Sequence, residues 1–169
     1  MNLDQITLLP IVESLLRIIL GLRFLKSGIS NVLKWPNAAQ TASLIFPYGA
    51  YFFALVANVL LVVGAAGVTL GFQTPIAAVM LVAFLIPTFR LHYYWLQVLP
   101  ASAKIIRESI TRDEAKSQFK VFERQAIHSH DVGWEDNAVL LAASLYFAVR
   151  GCVAFGLDNL MAGWVIWLF

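Results

Sequence analysis

Glu13, Arg17, Arg150 and Asp158 are ionisable side chains set in or beside stretches that are otherwise apolar. Charge in such a setting is costly unless it is paired or serves a function. Arg17, Gly21, Phe24 and Gly28 are spaced by four, three and four residues, so a helix places them on one face, and Glu13 joins that face one turn earlier. If the last apolar segment runs outward, antiparallel to the first, Arg150 and Asp158 lie in the same outer layer as Glu13 and Arg17. Two readings stay open for this network: ion pairs that fix helix register, or a polar site for an anion or a quinone headgroup. A second group, Arg23, Lys26, Lys34, Arg90 and His92, is accompanied by Trp35, Tyr93, Tyr94 and Trp95. It reads either as a basic and aromatic belt at a lipid headgroup layer or as an electropositive mouth for an anionic substrate or acidic partner.

The remaining chemistry is sparse. Cys152 is the only cysteine, which excludes an internal disulfide, a paired-thiol redox motif and a cysteine-rich metal site. In Gly-Cys-Val on an apolar segment it reads as a small packing residue. His128 and His130 are expected in a polar loop beside Asp131, a weak metal signal, and His92 is the only histidine in an apolar segment, so no haem is expected to be held by this chain alone and no metal site is expected. No glycine-rich phosphate loop, nucleophile elbow or HExxH sequence occurs, and spacing alone singles out no catalytic residue. The net charge of +2, without a basic patch interleaved with aromatics, points away from nucleic acid.

The elements that must position these residues follow from hydropathy. Residues 35–89 contain no Asp, Glu, Lys, Arg or His. Hydrophobic residues make up 60% of the 169-residue chain and charged residues only 13%, about half the usual share; the mean hydropathy is +0.75. A membrane-crossing helix needs roughly 20 apolar residues, and the uncharged stretch supplies two, split at Gly71-Phe72-Gln73-Thr74-Pro75. The expected fold is all-α: a single membrane domain, a four-helix transmembrane bundle with spans at about 11–32, 48–70, 75–99 and 137–155. Pro10 is expected to start the first span and Pro87 to kink the third. The N-terminus lacks the basic region of a cleavable signal.

Between the third and fourth spans, residues 101–135 carry Lys104, Arg107, Arg112, Lys116, Lys120 and Arg124 together with several acids. Thr111-Arg-Asp-Glu114 reads as a capping box, and Phe119, Phe122 and Ala126 give a narrow apolar stripe. The expectation is an amphipathic cytoplasmic hairpin, lying on the membrane or docking a partner subunit through Phe119 and Phe122. The apolar tail, residues 160–169 with Trp164 and Trp167, is too short to cross and reads as interfacial or packed on the bundle. The Lys/Arg distribution places the loops after spans one and three in the cytoplasm and both termini outside.

Leu16-Arg17-Ile-Ile-Leu-Gly21-Leu-Arg-Phe24-Leu-Lys-Ser-Gly28, followed by Lys34, resembles the first helix of the DoxX family. Gly64, Gly67 and Gly71 resemble its glycine-rich second helix, and Gly151 to Gly156-Leu157-Asp158 resembles its closing signature. The family's second helix often carries an acidic residue; here Asn58 is the nearest polar group. The resemblance implies a four-helix integral membrane protein, with Gly21, Gly28, Gly64, Gly67 and Gly71 at helix contacts and Arg17 and Asp158 at matching positions. It also implies a setting, since DoxX-like proteins include a membrane subunit of thiosulfate:quinone oxidoreductase and accessory proteins of redox or sulfur metabolism. The expected role is that of a multi-pass subunit of a redox or energy-converting complex in a prokaryotic inner membrane. Such a subunit contacts lipid and other membrane subunits and is accessory rather than an autonomous enzyme. The alternatives are a quinone-linked oxidoreductase subunit and, less favoured, a small solute or lipid carrier. Quinone or lipid is the ligand class in view.

Overall fold

The uncharged stretch folds as two helices joined by the tight turn that its Gly-Phe-Gln-Thr-Pro sequence anticipates. In the computed structural model, which describes residues 3–166, the first of these, α3, spans Ala50–Leu70 and the second, α4, Thr74–Ser109. They are preceded by α1 (Leu3–Leu33) and α2 (Trp35–Ser43) and followed by α5 (Asp113–Arg150), a single turn α6 (Leu157–Leu160) and a 3-10 turn at Ala162–Trp164. Among the described residues there is no strand.

α3 and α4 are long and apolar enough to cross a membrane, and only 33% of the most apolar window of each is buried inside the protein. The core helix of a soluble protein would bury most of such a window. Here Tyr51, Phe52, Leu55, Val59 and Val63 of α3 stay exposed, a surface suited to lipid. α1 likewise exposes Leu15, Leu16, Ile19 and Leu22.

The chain divides into two compact units. The first takes the chain up to Leu85 and resumes at Leu140; the second is Ile86–Val139. Both boundaries fall inside helices, and the first falls beside Pro87, whose missing amide interrupts the α4 hydrogen-bond ladder. The first unit has one apolar core, built from Leu20 and Phe24 of α1, Leu61, Ala65 and Val68 of α3, Ala77, Ala78, Leu81 and Leu85 of α4, and Phe147 and Ala148 of α5. Phe24 meets Phe84 edge to face, with centroids 6.4 Å apart.

The second unit is the far half of α4 turned back on the near half of α5 through residues 110–112. Phe89 packs edge to face on Trp134 at 5.6 Å, the Asn137 amide donates to Thr88 Oγ1 at 3.0 Å, and Arg107 pairs with Glu123 at 2.8 Å. These pairs run in opposite chain directions, as in an antiparallel helix pair.

Several expected boundaries move. Pro10 lies inside α1 rather than at its start. The linker after the first span contains α2, with Pro36 in its first turn, where a missing amide costs nothing. Leu99 does not end a helix: α4 runs through Pro100 to Ser109. Asn137 does not begin one, since α5 is continuous from Asp113. Residues 101–135 are therefore mostly extensions of α4 and α5. α5 starts at Asp113, one residue later than a Thr111 cap requires, with Asp113 and Glu114 in its first turn, where acids favour the helix dipole.

Candidate functional site

Arg17 is 1% exposed, and its guanidinium bonds to backbone. Nη1 donates to the carbonyls of Val68 at 2.7 Å and Thr69 at 2.9 Å, and Nη2 donates to that of Phe155 at 2.9 Å. Val68 and Thr69 lie in the last turn of α3, where carbonyls lack helical donors and the dipole is negative. Arg17 thus caps the C-terminus of α3 from α1. The helix end is completed locally, by Gly71 N–H on Val68 and Phe72 N–H on Gly67. Gly71 has φ +65°, and a Cβ there would lie 2.7 Å from Arg17 Nη1 and 2.8 Å from Gly156 Cα. Only glycine combines that backbone with that approach.

Asp158 does the converse at the next helix. Its Oδ1 accepts the Gln73 amide at 2.6 Å and its Oδ2 the Thr74 amide at 2.9 Å. The first helical bond of α4 is Ala77 N–H to Gln73 C=O. The donors left over at this end belong to Gln73, Thr74 and Ile76, because Pro75 has none. Asp158 satisfies two of the three with a full negative charge where the dipole is positive. Its own amide donates to the Gly71 carbonyl at 2.7 Å. One buried cation and one buried anion therefore hold the two helix ends at the α3–α4 turn, each through backbone groups.

Glu13 and Arg150 form a second, separate cluster. Glu13 Oε1 lies 3.6 Å from Arg150 Nε and accepts a short hydrogen bond from the Tyr146 hydroxyl. The Glu13 side chain is 8% exposed and that of Arg150 52%. Glu13 Oε2 is buried with no hydrogen-bond partner among the described residues, as is Asn58 Oδ1 on α3.

The four residues of the expected network thus divide in two. Glu13 and Arg150 meet; Arg17 and Asp158 each spend their charge on main chain. The glycines sit at close helix approaches. A Cβ on Gly21 would lie 2.7 Å from the Thr69 nitrogen, and one on Gly28 2.7 Å from Val62 Cγ2, both between α1 and α3. Gly64 and Gly67 do the same between α3 and α4, against Ala77. Arg23, Lys26 and Lys34 are exposed on α1 and just after it, Arg90 is exposed on α4, and His92 is half-buried. Phe119 and Phe122 lie 6.3 Å apart on α5, the second exposed.

Two participants have no role in the sequence reading. Tyr146 stands one helical turn before Arg150, a spacing that marks a shared face. Gln73 ties the chain's end to the α3–α4 turn: its Nε2 donates to the Trp164 carbonyl at 2.6 Å and its Oε1 accepts the Ile166 amide at 3.0 Å. No periodicity announces that contact. Trp164 is exposed, and Trp167 lies outside the described residues. His130, expected in a loop with His128 and Asp131, is instead within α5 and faces His92, with Nδ1 atoms 3.2 Å apart.

The DoxX family model matches residues 13–94, just under half of the chain. No curated protein and no solved structure matches the sequence. The matched segment reaches from Glu13 through α3 and into α4, so about half of the chain is similar to DoxX, and α3 and α4 are long and apolar enough to suit a membrane protein of that type.

Proposed function

We propose that this protein is a multi-pass accessory subunit of a redox or energy-converting membrane complex, with α1, α3, α4 and α5 forming a four-span bundle. Its work is to pack helices and lipid and to dock partner subunits. The observation that carries this reading is the use made of the buried charges. Arg17 and Asp158 bond to three carbonyls and two amides of this chain. A substrate-binding arginine would keep its fork directed at the ligand. The exposed apolar faces of α1 and α3 suit lipid or neighbouring helices, and Phe122 on α5 suits a partner. In this reading the membrane is a prokaryotic inner membrane with both termini outside, following the Lys/Arg distribution.

A quinone-linked oxidoreductase subunit is the second reading, and Glu13 favours it. Its buried Oε2 is an acceptor without a donor, beside the Tyr146 hydroxyl and a half-exposed Arg150. A hydroxyl of a reduced quinone headgroup has the chemistry to fill that acceptor, and the guanidinium can donate to a carbonyl. Electron transfer would be supplied by the quinone and a partner's carrier.

Purification in mild detergent from the native membrane separates the two. The accessory reading expects a stoichiometric large redox partner, released when Phe119 and Phe122 are changed to Ser while the chain stays folded. A lone protein carrying extractable quinone would favour the second reading.

A further inference from the structure

His92 on α4 and His130 on α5 belong to the second unit and take no part in the clusters above. We propose that they form a two-histidine site for a divalent transition-metal ion of the zinc class, bound through both Nδ1 atoms and completed by solvent. The two Nδ1 atoms are 3.2 Å apart. Two nitrogens each about 2.0–2.1 Å from a tetrahedral zinc stand roughly 3.3–3.4 Å apart, so the ion enters with a few tenths of an ångström of adjustment. Imidazole is the ligand that zinc, copper and nickel share.

The rings are held from three sides. His130 stacks on Trp95 with centroids 5.8 Å apart and planes 18° apart. The His92 ring lies against Gly133, where a Cβ would come within 2.5 Å of Cε1. About a turn or two away, toward the N-terminal side of His92 on α4, Phe89 on Trp134 and Thr88 on Asn137 lock the helix pair. Binding needs neutral imidazoles, and burial keeps His130 below its ordinary pKa. A hydrogen bond between the two Nδ1 atoms needs one ring with its proton on Nδ1; coordination through both Nδ1 atoms needs that proton moved to Nε2 of the same ring, so the ring changes tautomer and no net proton is released. Among the described residues no cluster of three or more His, Cys, Asp or Glu could hold a metal, so this chain supplies two ligands and the affinity is modest.

The test is calorimetric titration of the detergent-solubilised full chain with Zn2+, and electron paramagnetic resonance with Cu2+. The expected result is one ion per chain and a two-nitrogen hyperfine pattern. His92→Gln and His130→Gln should each weaken binding at least tenfold, and His128→Gln, on an exposed neighbour, should leave it unchanged. Gly133→Ala, which displaces His92 without removing a ligand, should also weaken it. Circular dichroism confirms that each variant keeps its helices. Binding that survives both His92→Gln and His130→Gln, binding lost with His128→Gln, or wild-type binding no stronger than that of the His92→Gln/His130→Gln double variant would each overturn the assignment.

Discussion

Replacing Asp158 with Ala removes the carboxylate that caps α4 and leaves the Gln73 and Thr74 amides unpaired at a buried turn. Both bonds are short, at 2.6 and 2.9 Å, and Asp158 is 6% exposed, so water does not readily replace it. A hydrogen bond to a charged group contributes about 1.5–3 kcal/mol, and loss of a helix cap to Ala costs about 0.5–2 kcal/mol. Two such bonds, with partial relaxation of the turn, give a loss of about 2–4 kcal/mol. Asp158→Asn keeps one acceptor oxygen and turns an NH2 toward the other amide, so it should cost roughly half as much. For a chain of this size each kcal/mol moves the melting temperature about 2–4 °C, so the Ala variant should melt roughly 5–15 °C lower. The assay is thermal unfolding of the purified protein in one detergent, followed by far-ultraviolet circular dichroism. An Ala variant melting within about a degree of wild type would refute the reasoning, because the cap would then contribute nothing.

Gly71→Ala should destabilise by about 2–5 kcal/mol, combining a non-glycine left-handed residue at about 1–2 kcal/mol with an overpacked Cβ at about 1–3 kcal/mol. Its cost should be non-additive with that of Arg17→Ala, because the new Cβ meets the guanidinium; a double-mutant cycle in the same melting assay measures this. Glu13→Gln should change stability by less than about 1 kcal/mol, since Arg150 is half exposed and the Tyr146 bond can persist. A quinone-dependent activity lost in that variant at unchanged melting temperature would favour the quinone-linked reading.

The sequence is most legible where physics leaves one option. An uncharged stretch over residues 35–89 announces two apolar helices, and the Gly71 to Pro75 run announces the turn between them, within a residue or two of α3 and α4. The glycine spacing on α1 likewise places Gly21 and Gly28 against α3. Legibility fails where polar composition mimics a break. Residues 101–135 look like an inserted segment because their hydropathy falls, yet helix propensity does not fall with it, so α4 and α5 continue through. Pro10 and Pro100 look like boundaries because proline interrupts the helical ladder, but both are carried within helices. Opposite charges at Arg17 and Asp158 invite an ion pair, and what they meet instead are helix termini. Helix ends carry partial charges that leave no trace in residue type, so that pattern becomes visible only once the α3–α4 turn is in place. The His92–His130 contact joins residues far apart in sequence and has no local signature.

The most direct test of the account is to compare Arg17→Ala and Arg17→Lys with wild type in the native membrane, measuring the amount of inserted protein, its melting temperature and its co-purifying partners together. Loss of three buried bonds should cost the Ala variant about 3–5 kcal/mol, so the account predicts that it accumulates poorly and assembles poorly, with the Lys variant between it and wild type. An Arg17→Ala protein that accumulates, melts and assembles like wild type, yet has lost a redox activity, would contradict it and move Arg17 from the scaffold to a ligand site.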